Sequence, residues 1–303
     1  MSRAGAATAP RVAARANPLM TLWRFSRPHT VIGTALSVLG LYVIAEAATP
    51  AWDLAATLLA GLMVNVAIVG INQITDVEID RVNKPLLPIA AGELSIGAAT
   101  AIVAVCTVAP LAMAVTQGGW ETAAVAAGLA VGAVYSLPPL RLKRYPVAAS
   151  LCISGVRSVI VNLGVYWHFA GQIDPPVIAL CLFVLPFSLA IAILKDVPDI
   201  EGDRRYAIRT FTVRIGPERV FRAGLAALLI AYAGMALVAP PLLVDYANPF
   251  VLAGGHVAAA AVLLYWARSA EPRSHSGFTR FYMRVWALFF LEYLLVPAAC
   301  LAN

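Results

Sequence analysis

The sequence predicts an all-α polytopic membrane protein. Three observations predict it: an apolar composition, apolar runs of bilayer length, and basic residues confined to alternate connecting segments. Of 303 residues 61% are hydrophobic and 13% charged, whereas a soluble domain averages about 45–50% apolar and about 25% charged. That surplus of apolar surface needs lipid as its solvent. The formal net charge of +6 does not suit nucleic acid, because a nucleic-acid binder carries its charge on a polar surface.

A helical span needs about 20 mostly apolar residues. Nine such runs are legible, at 29–47, 54–74, 95–116, 120–137, 147–169, 176–195, 218–240, 248–267 and 281–301, punctuated by Gly, Pro and charged residues. The strand alternation of a closed barrel is missing. Backbone polar groups must be satisfied within the bilayer, so runs of this length are helices. Residues 1–20, rich in Ala and Arg and free of acids, are expected to form a disordered tail or the remnant of a transit peptide. Residues 21–303 then form one nine-helix domain.

Of the 22 Lys and Arg, all but Arg157 fall before span one, after spans two and four, and around the loops after spans six and eight. The opposite loops carry only the acids Glu46, Asp53, Glu121, Asp174 and Asp245. The positive-inside rule places the N-terminus in the cytosol and, with nine spans, the C-terminus outside. Arg157 lies about ten residues into span five, and a charge at that depth is expected to face a cavity. Cys106, Cys152, Cys181 and Cys300 each sit in an apolar run and read as small buried hydrophobes.

Two acidic clusters close spans on the cytosolic side. In Asn72-Gln73-Ile74-Thr75-Asp76-Val77-Glu78-Ile79-Asp80-Arg81-Val82-Asn83-Lys84-Pro85, the residues Asn72, Asp76 and Asp80 repeat every four positions and share a helical face. In Lys195-Asp196-Val197-Pro198-Asp199-Ile200-Glu201-Gly202-Asp203, the residues Asp196, Asp199 and Asp203 have a similar spacing, interrupted by Pro198. Carboxylates gathered on facing helices repel unless a cation lies between them. Hard oxygen ligands favour Mg²⁺ or Ca²⁺, and Mg²⁺ commonly joins one or two carboxylates to substrate phosphates. The neighbouring cations Arg81, Lys84, Arg141, Lys143 and Lys195 suit the same anion.

These motifs resemble the UbiA-type superfamily of membrane aromatic prenyltransferases, over nearly the whole chain beyond residue 20. The first cluster is similar to the pattern Asn-Asp-x-x-Asp-x-x-x-Asp-x-x-Asn and the second to Asp-x-x-Asp-x-x-x-Asp. The acid usual after the first Asn is Gln73 here, so that position is not assigned as a ligand. The Asn-Gln form looks like the homogentisate branch, as do Arg27-Pro28-His29-Thr30, Tyr135-Ser136-Leu137-Pro138-Pro139-Leu140-Arg141-Leu142-Lys143-Arg144, Val161-Asn162-Leu163-Gly164-Val165-Tyr166 and Arg209-Thr210-Phe211-Thr212-Val213-Arg214-Ile215-Gly216. The resemblance implies nine helices around a central chamber with a cytosolic active-site cap. It also implies Mg²⁺-dependent transfer of a prenyl group to homogentisate with loss of its carboxylate, in tocopherol or plastoquinone synthesis.

On that reading Asn72, Asp76, Asp80, Asp196, Asp199 and Asp203 hold Mg²⁺, and the five aspartates are the catalytic set. Arg81, Lys84, Tyr135, Arg141, Lys143 and Lys195 contact the diphosphate. Arg157 or His29 receives the acceptor's carboxylate. His168, near the far face, is read as structural, and His256, beside Gly254 and Gly255, as packing or bonding between helices. Alternative acceptors are 4-hydroxybenzoate, a naphthoate, a chlorophyllide or a haem. An ion-coupled transporter is the rival class, but it would place its acids near the bilayer midplane. A purely structural or assembly role gives no reason for two aligned carboxylate faces. The membrane is expected to be a bacterial inner membrane, with a plastid envelope as the alternative. Protein partners are not legible in the sequence.

Overall fold

The computed structural model describes residues 17–46 and 49–303, and these fold into helices with no strand among them. A short helix α1 (Pro18–Phe25) precedes α2 (Pro28–Ile44), α3 (Ala51–Thr75), α4 (Val77–Asn83), α5 (Ile96–Gln117), α6 (Gly119–Ser136), α7 (Pro146–Ala170) and α8 (Pro175–Leu194). Two short helices follow, α9 (Ile200–Arg205) and α10 (Phe211–Ile215). The chain ends with α11 (Pro217–Leu242), α12 (Pro249–Ala267) and α13 (His275–Leu301). A long helix occupies each of the nine apolar runs. Seven of these helices are long and apolar enough to cross a membrane; α2 and α6, with 17 and 18 residues, stand between them in the bundle. Of the tail expected over 1–20, residues 1–16 lie outside the described residues, and Pro18–Met20 already belong to α1.

The helix starts follow elementary rules. Proline takes the first turn of α2, α7, α8, α11 and α12, where its missing N–H removes no bond. Side chains of Ser95, Asn248 and Ser274 accept hydrogen bonds from the first free N–H groups of α5, α12 and α13.

The long helices form a ring in which α2, α3, α6, α7, α8, α11, α12 and α13 pack in sequence and α13 closes back onto α2. Helix α5 lies outside, against α3 and α6. Helix α8 is the most deeply buried of the candidate spans, with Phe183, Phe187, Ile191 and Leu194 inside the main core. The outer faces carry exposed apolar side chains such as Val108, Leu182, Leu237 and Phe250, a surface suited to lipid. The protein is an integral membrane protein.

Helix α7 contains a π-helical turn over Val156–Val161. One extra residue per turn leaves part of the hydrogen-bond ladder irregular, a device concentrated at functional sites. Arg157 sits on that turn.

Candidate active site

A cavity of about 1740 Å³ opens between α2, α3, α6, α7, α8 and α13. Its walls are largely apolar, with Val64, Ile68, Val131 and Ile160 among them. Its mouth contains every aspartate of the two clusters: Asp76, Asp80, Asp196, Asp199 and Asp203. The clusters meet directly. Lys84 forms a salt bridge with Asp199, and Asn83 donates from Nδ2 to Asp203 Oδ1 at 3.4 Å and accepts from the Gly202 N–H at 3.0 Å. The two acidic segments therefore cap one chamber from one membrane side.

The local geometry differs from a continuous helical face. Helix α3 ends at Thr75, and Asp76 leaves the helical region with φ −120° and ψ 19° before α4 begins. Asn72 and Asp80 thus belong to two helices joined at Asp76. The second cluster is broken at Pro198, where ring geometry prevents α8 from continuing. Asp196 lies in the turn, Asp199 caps α9 and Asp203 lies within α9. Convergence comes from the fold of both turns rather than from helical spacing.

Cations occupy several of the carboxylates. Asp76 receives Lys143 Nζ at 2.7 Å and Arg141 Nη2 at 3.0 Å, with Asn72 Nδ2 at 3.2 Å. Lys195 Nζ pairs with Asp196 at 3.0 Å and reaches the Tyr135 hydroxyl at 3.5 Å. Arg81 stays at the rim, half-exposed and paired with Glu78 at 2.6 Å. Two carboxylates are different. Asp80 and Asp203 are buried, and each retains one oxygen, Oδ2 in both, with no hydrogen-bond partner. Burial pushes the Asp80 carboxyl above its usual range, against the pull of Arg27 and Lys84. Burial, helped by Asp196 and Asp199, pushes Asp203 up to about 7.

Arg27 and Asn83 were not assigned roles from the sequence, although both lie in quoted motifs. Arg27 donates from Nη2 to Asn72 Oδ1 at 3.3 Å, lines the chamber and keeps its Nε buried without a partner. Its backbone is left-handed, with φ 54°, as is that of Arg141, with φ 40°. Non-glycine residues adopt this conformation at a cost of order 1–3 kcal/mol, typically at sites where the surroundings demand it. Gln73 is buried and donates from Nε2 to the Phe25 carbonyl at 2.7 Å. It ties α1 to α3 and stands outside the lining of the chamber.

Asn83 makes a sharp prediction. Asn83→Ala removes the bonds to α9 and leaves the Gly202 N–H buried without a partner. A stability loss of about 1–3 kcal/mol is expected, read as a lowered unfolding midpoint in detergent. Gly202→Ala should behave alike, because a Cβ there would stand 2.1 Å from Asn83 Oδ1.

Deeper in the chamber, the Arg157 guanidinium lies 4.5 Å from the centroid of the Trp286 ring and 5.9 Å from that of Phe289. Its Nη1 is buried with no hydrogen-bond partner. His29 meets the other edge of Trp286, centroids 4.8 Å apart, and also lines the chamber. Cation–π contact holds the arginine in place, leaving a donor free for an anion. The remaining histidines of the spans lie elsewhere. His168 bonds Asp53 at 3.1 Å on the far side. His256 joins α12 to α13 through Glu292 at 3.0 Å, an intramembrane acid that the apolar run concealed.

The sequence model of the UbiA prenyltransferase family matches residues 32–289. The chain belongs to the UbiA prenyltransferase family. Within it, the chain is 44% identical over 299 residues to the homogentisate phytyltransferase of Synechocystis sp., covering 93% of this chain and 96% of that one. It is 38% identical over 296 residues to the chloroplastic homogentisate solanesyltransferase of Arabidopsis thaliana, covering 91% and 75%. Among solved structures, a UbiA homolog from Archaeoglobus fulgidus bound to GPP and Mg²⁺ superposes with a TM-score of 0.65. That match has 19% identity and covers 92% of this chain and 99% of the other, and it establishes the fold.

Proposed function

We propose that this chain is a membrane prenyltransferase that transfers a prenyl group from a prenyl diphosphate to homogentisate, with loss of the acceptor's carboxylate. The observation that carries the reading is the pair Asp80 and Asp203, buried carboxylates with unpartnered oxygens at the mouth of a chamber whose walls are largely apolar. Curated relatives that match nine-tenths of the chain are named for homogentisate prenyl transfer, which supports the acceptor.

The donor set fits Mg²⁺. Buried carboxyl oxygens without partners take up either a proton or a cation, and Asn72, Asp76, Asp196 and Asp199 offer a cation further hard oxygens around them. When bound, Mg²⁺ neutralises the diphosphate as negative charge builds on it. Lys143, Arg141 and Lys84, which pair with Asp76 and Asp199, are the cations within reach of the phosphates. Tyr135 and Lys195 hold the same anion from the α6 and α8 side, and Arg81 contributes to the rim potential.

The allylic C–O bond then breaks, its electron pair leaving with the diphosphate. The electron-rich ring of the acceptor attacks the freed allylic carbon through a ring carbon that bears hydrogen; the ring becomes aromatic again as that hydrogen leaves as a proton, and the acetate side chain loses its carboxyl carbon as carbon dioxide and takes up a proton to become a methyl group. Apolar walls exclude water that would otherwise capture the allylic centre. Arg157 orients the acceptor's carboxylate before it is lost, with His29 across Trp286 as a second contact. The bias of Lys and Arg supports a cytosolic N-terminus and an active site facing the cytosol, in a bacterial inner membrane or its plastid counterpart.

The deciding experiment combines purified protein, Mg²⁺ and homogentisate with phytyl, geranylgeranyl and solanesyl diphosphates. Expected are diphosphate release and a decarboxylated prenyl product by mass; no product with homogentisate but turnover with 4-hydroxybenzoate would reassign the acceptor. A pH dependence follows from Asp203. Its carboxyl titrates near 7 and must lose its proton to bind a cation, so proton and metal compete. Mg²⁺ affinity should fall by up to about tenfold per pH unit below 7 and level off above it. A Mg²⁺ titration of diphosphate release at pH 6, 7 and 8 checks this, and a pH-independent half-saturation would remove Asp203 from the metal site.

A further inference from the structure

Helix α7 reaches α13 through two side-chain contacts. Arg157 lies over the rings of Trp286 and Phe289. Five residues on, the Tyr293 hydroxyl donates to Asn162 Oδ1 at 2.7 Å. The two contacts make conflicting demands on a regular helix. Trp286 and Tyr293 are seven positions apart on α13, so at about 100° per residue they share a face to within about 20°. Arg157 and Asn162 are five positions apart on α7, and in a regular α-helix they would point about 140° away from each other. They would not both meet one face of α13. The π-helical turn over Val156–Val161 removes the conflict. Its i→i+5 bonds close a turn with one extra residue, which brings residue 162 round to the side that residue 157 faces.

π-Turns are rare in helices, so this one needs a cause. The Tyr293 bond supplies it from one side. On the other side Gly164 lies so tight on α6 that a Cβ there would stand 2.5 Å from Ala124 Cβ. With α7 held on both sides just beyond the turn, the extra residue is taken up at Arg157. Stability does not account for the arrangement. Asn162 and Tyr293 are buried, and the Asn162 Nδ2 has no hydrogen-bond partner, which is a burden on folding. Arg157 also has room to move. It borders a side pocket of about 50 Å³ with Thr34, Asn65 and Phe289, space for several waters. Loss of the extra residue's register would turn Arg157 by about 100°, away from Trp286.

We propose that Tyr293 and Asn162 are positioning residues for the acceptor: their bond holds the π-turn in register and so keeps the Arg157 guanidinium on Trp286 with a donor free for an aromatic carboxylate. Neither residue lines the chamber, so both act through Arg157. The inference rests on the acceptor reading above and adds the part of the fold that sets the arginine.

The test is a double-mutant cycle of Tyr293→Phe and Arg157→Ala in lipid nanodiscs, read as KM for homogentisate. Tyr293→Phe alone should raise that KM at least about fivefold and leave KM for the prenyl diphosphate within about threefold. In the Arg157→Ala background the same change should add no more than about twofold, because residues that act through one contact are not additive. Additive effects would overturn the proposal, as would an equal rise for both substrates. If Tyr293→Phe does not fold, Asn162→Leu/Tyr293→Phe carries the test, since it leaves no polar group of the pair buried. That double variant should regain the wild-type unfolding midpoint and keep the raised KM; recovery of both would mean that the bond serves folding alone. A structure of the double variant needs no acceptor. Arg157 displaced from Trp286 is expected, and a guanidinium still stacked there refutes the clamp whatever the acceptor. Displacement in a protein whose wild type prenylates no homogentisate refutes the acceptor and keeps the clamp.

Discussion

Asp80→Ala is expected to lower kcat by about 10²–10³-fold or more, the scale on which single electrostatic contributors to charge development act, while leaving the folded protein at least as stable as the wild type. The two halves of this expectation have one cause. Asp80 is buried with its Oδ2 unpartnered, and its carboxyl sits above the usual range because burial penalises the charge. A group held under that penalty contributes nothing to folding, and its removal relieves a desolvation cost. Its retention makes physical sense only if a cation arrives. Asp76→Ala should behave differently, because it strips Lys143 and Arg141 of their carboxylate and so costs stability as well as activity. Diphosphate release and thermal unfolding, measured on both variants, separate the cases. Turnover within tenfold of wild type for Asp80→Ala would remove that residue from the chemistry.

The second large effect is expected at Arg157. Arg157→Ala should raise KM for homogentisate by about 10–100-fold, the worth of a hydrogen bond to a charged group, with KM for the prenyl diphosphate unchanged. The guanidinium is fixed over Trp286 and has a buried nitrogen to spare, which pre-organises it for a carboxylate. Arg157→Lys should recover only part of the loss, because an ammonium cannot stack flat on the indole and present a planar fork together. An unreactive aryl acetate and its methyl ester, compared as competitive inhibitors, read the contact directly. Wild type should prefer the acid, and Arg157→Ala should bind both alike. An unchanged preference would pass the acceptor's carboxylate to His29 or Arg27.

The span boundaries were legible in the sequence to within a few residues, except where α13 begins at His275 and an extra polar turn precedes the apolar run. Burial in lipid is a property of consecutive residues, so a one-dimensional pattern carries it. The acidic clusters were legible for a related reason. A carboxylate beside a greasy helix stands out whatever the rest of the chain does. Gln73 was set aside as a ligand because its amide carries no charge, and its bond to the Phe25 carbonyl 48 positions away left no trace in local spacing. Glu292 was overlooked because one acid barely lowers the apolarity of its run, and only the packing of α12 on α13 reveals His256 as its partner.

Composition, segment length and charge placement alone establish helices in lipid and acids gathered on one side, because each reflects the solvent that a residue meets. Which acids keep a free oxygen, where Arg27 and Arg141 bend into left-handed backbone, and how Lys84 reaches Asp199 115 positions away were settled by tertiary packing. Those features depend on distances between side chains remote in sequence, which only closure of the helix ring brings into range.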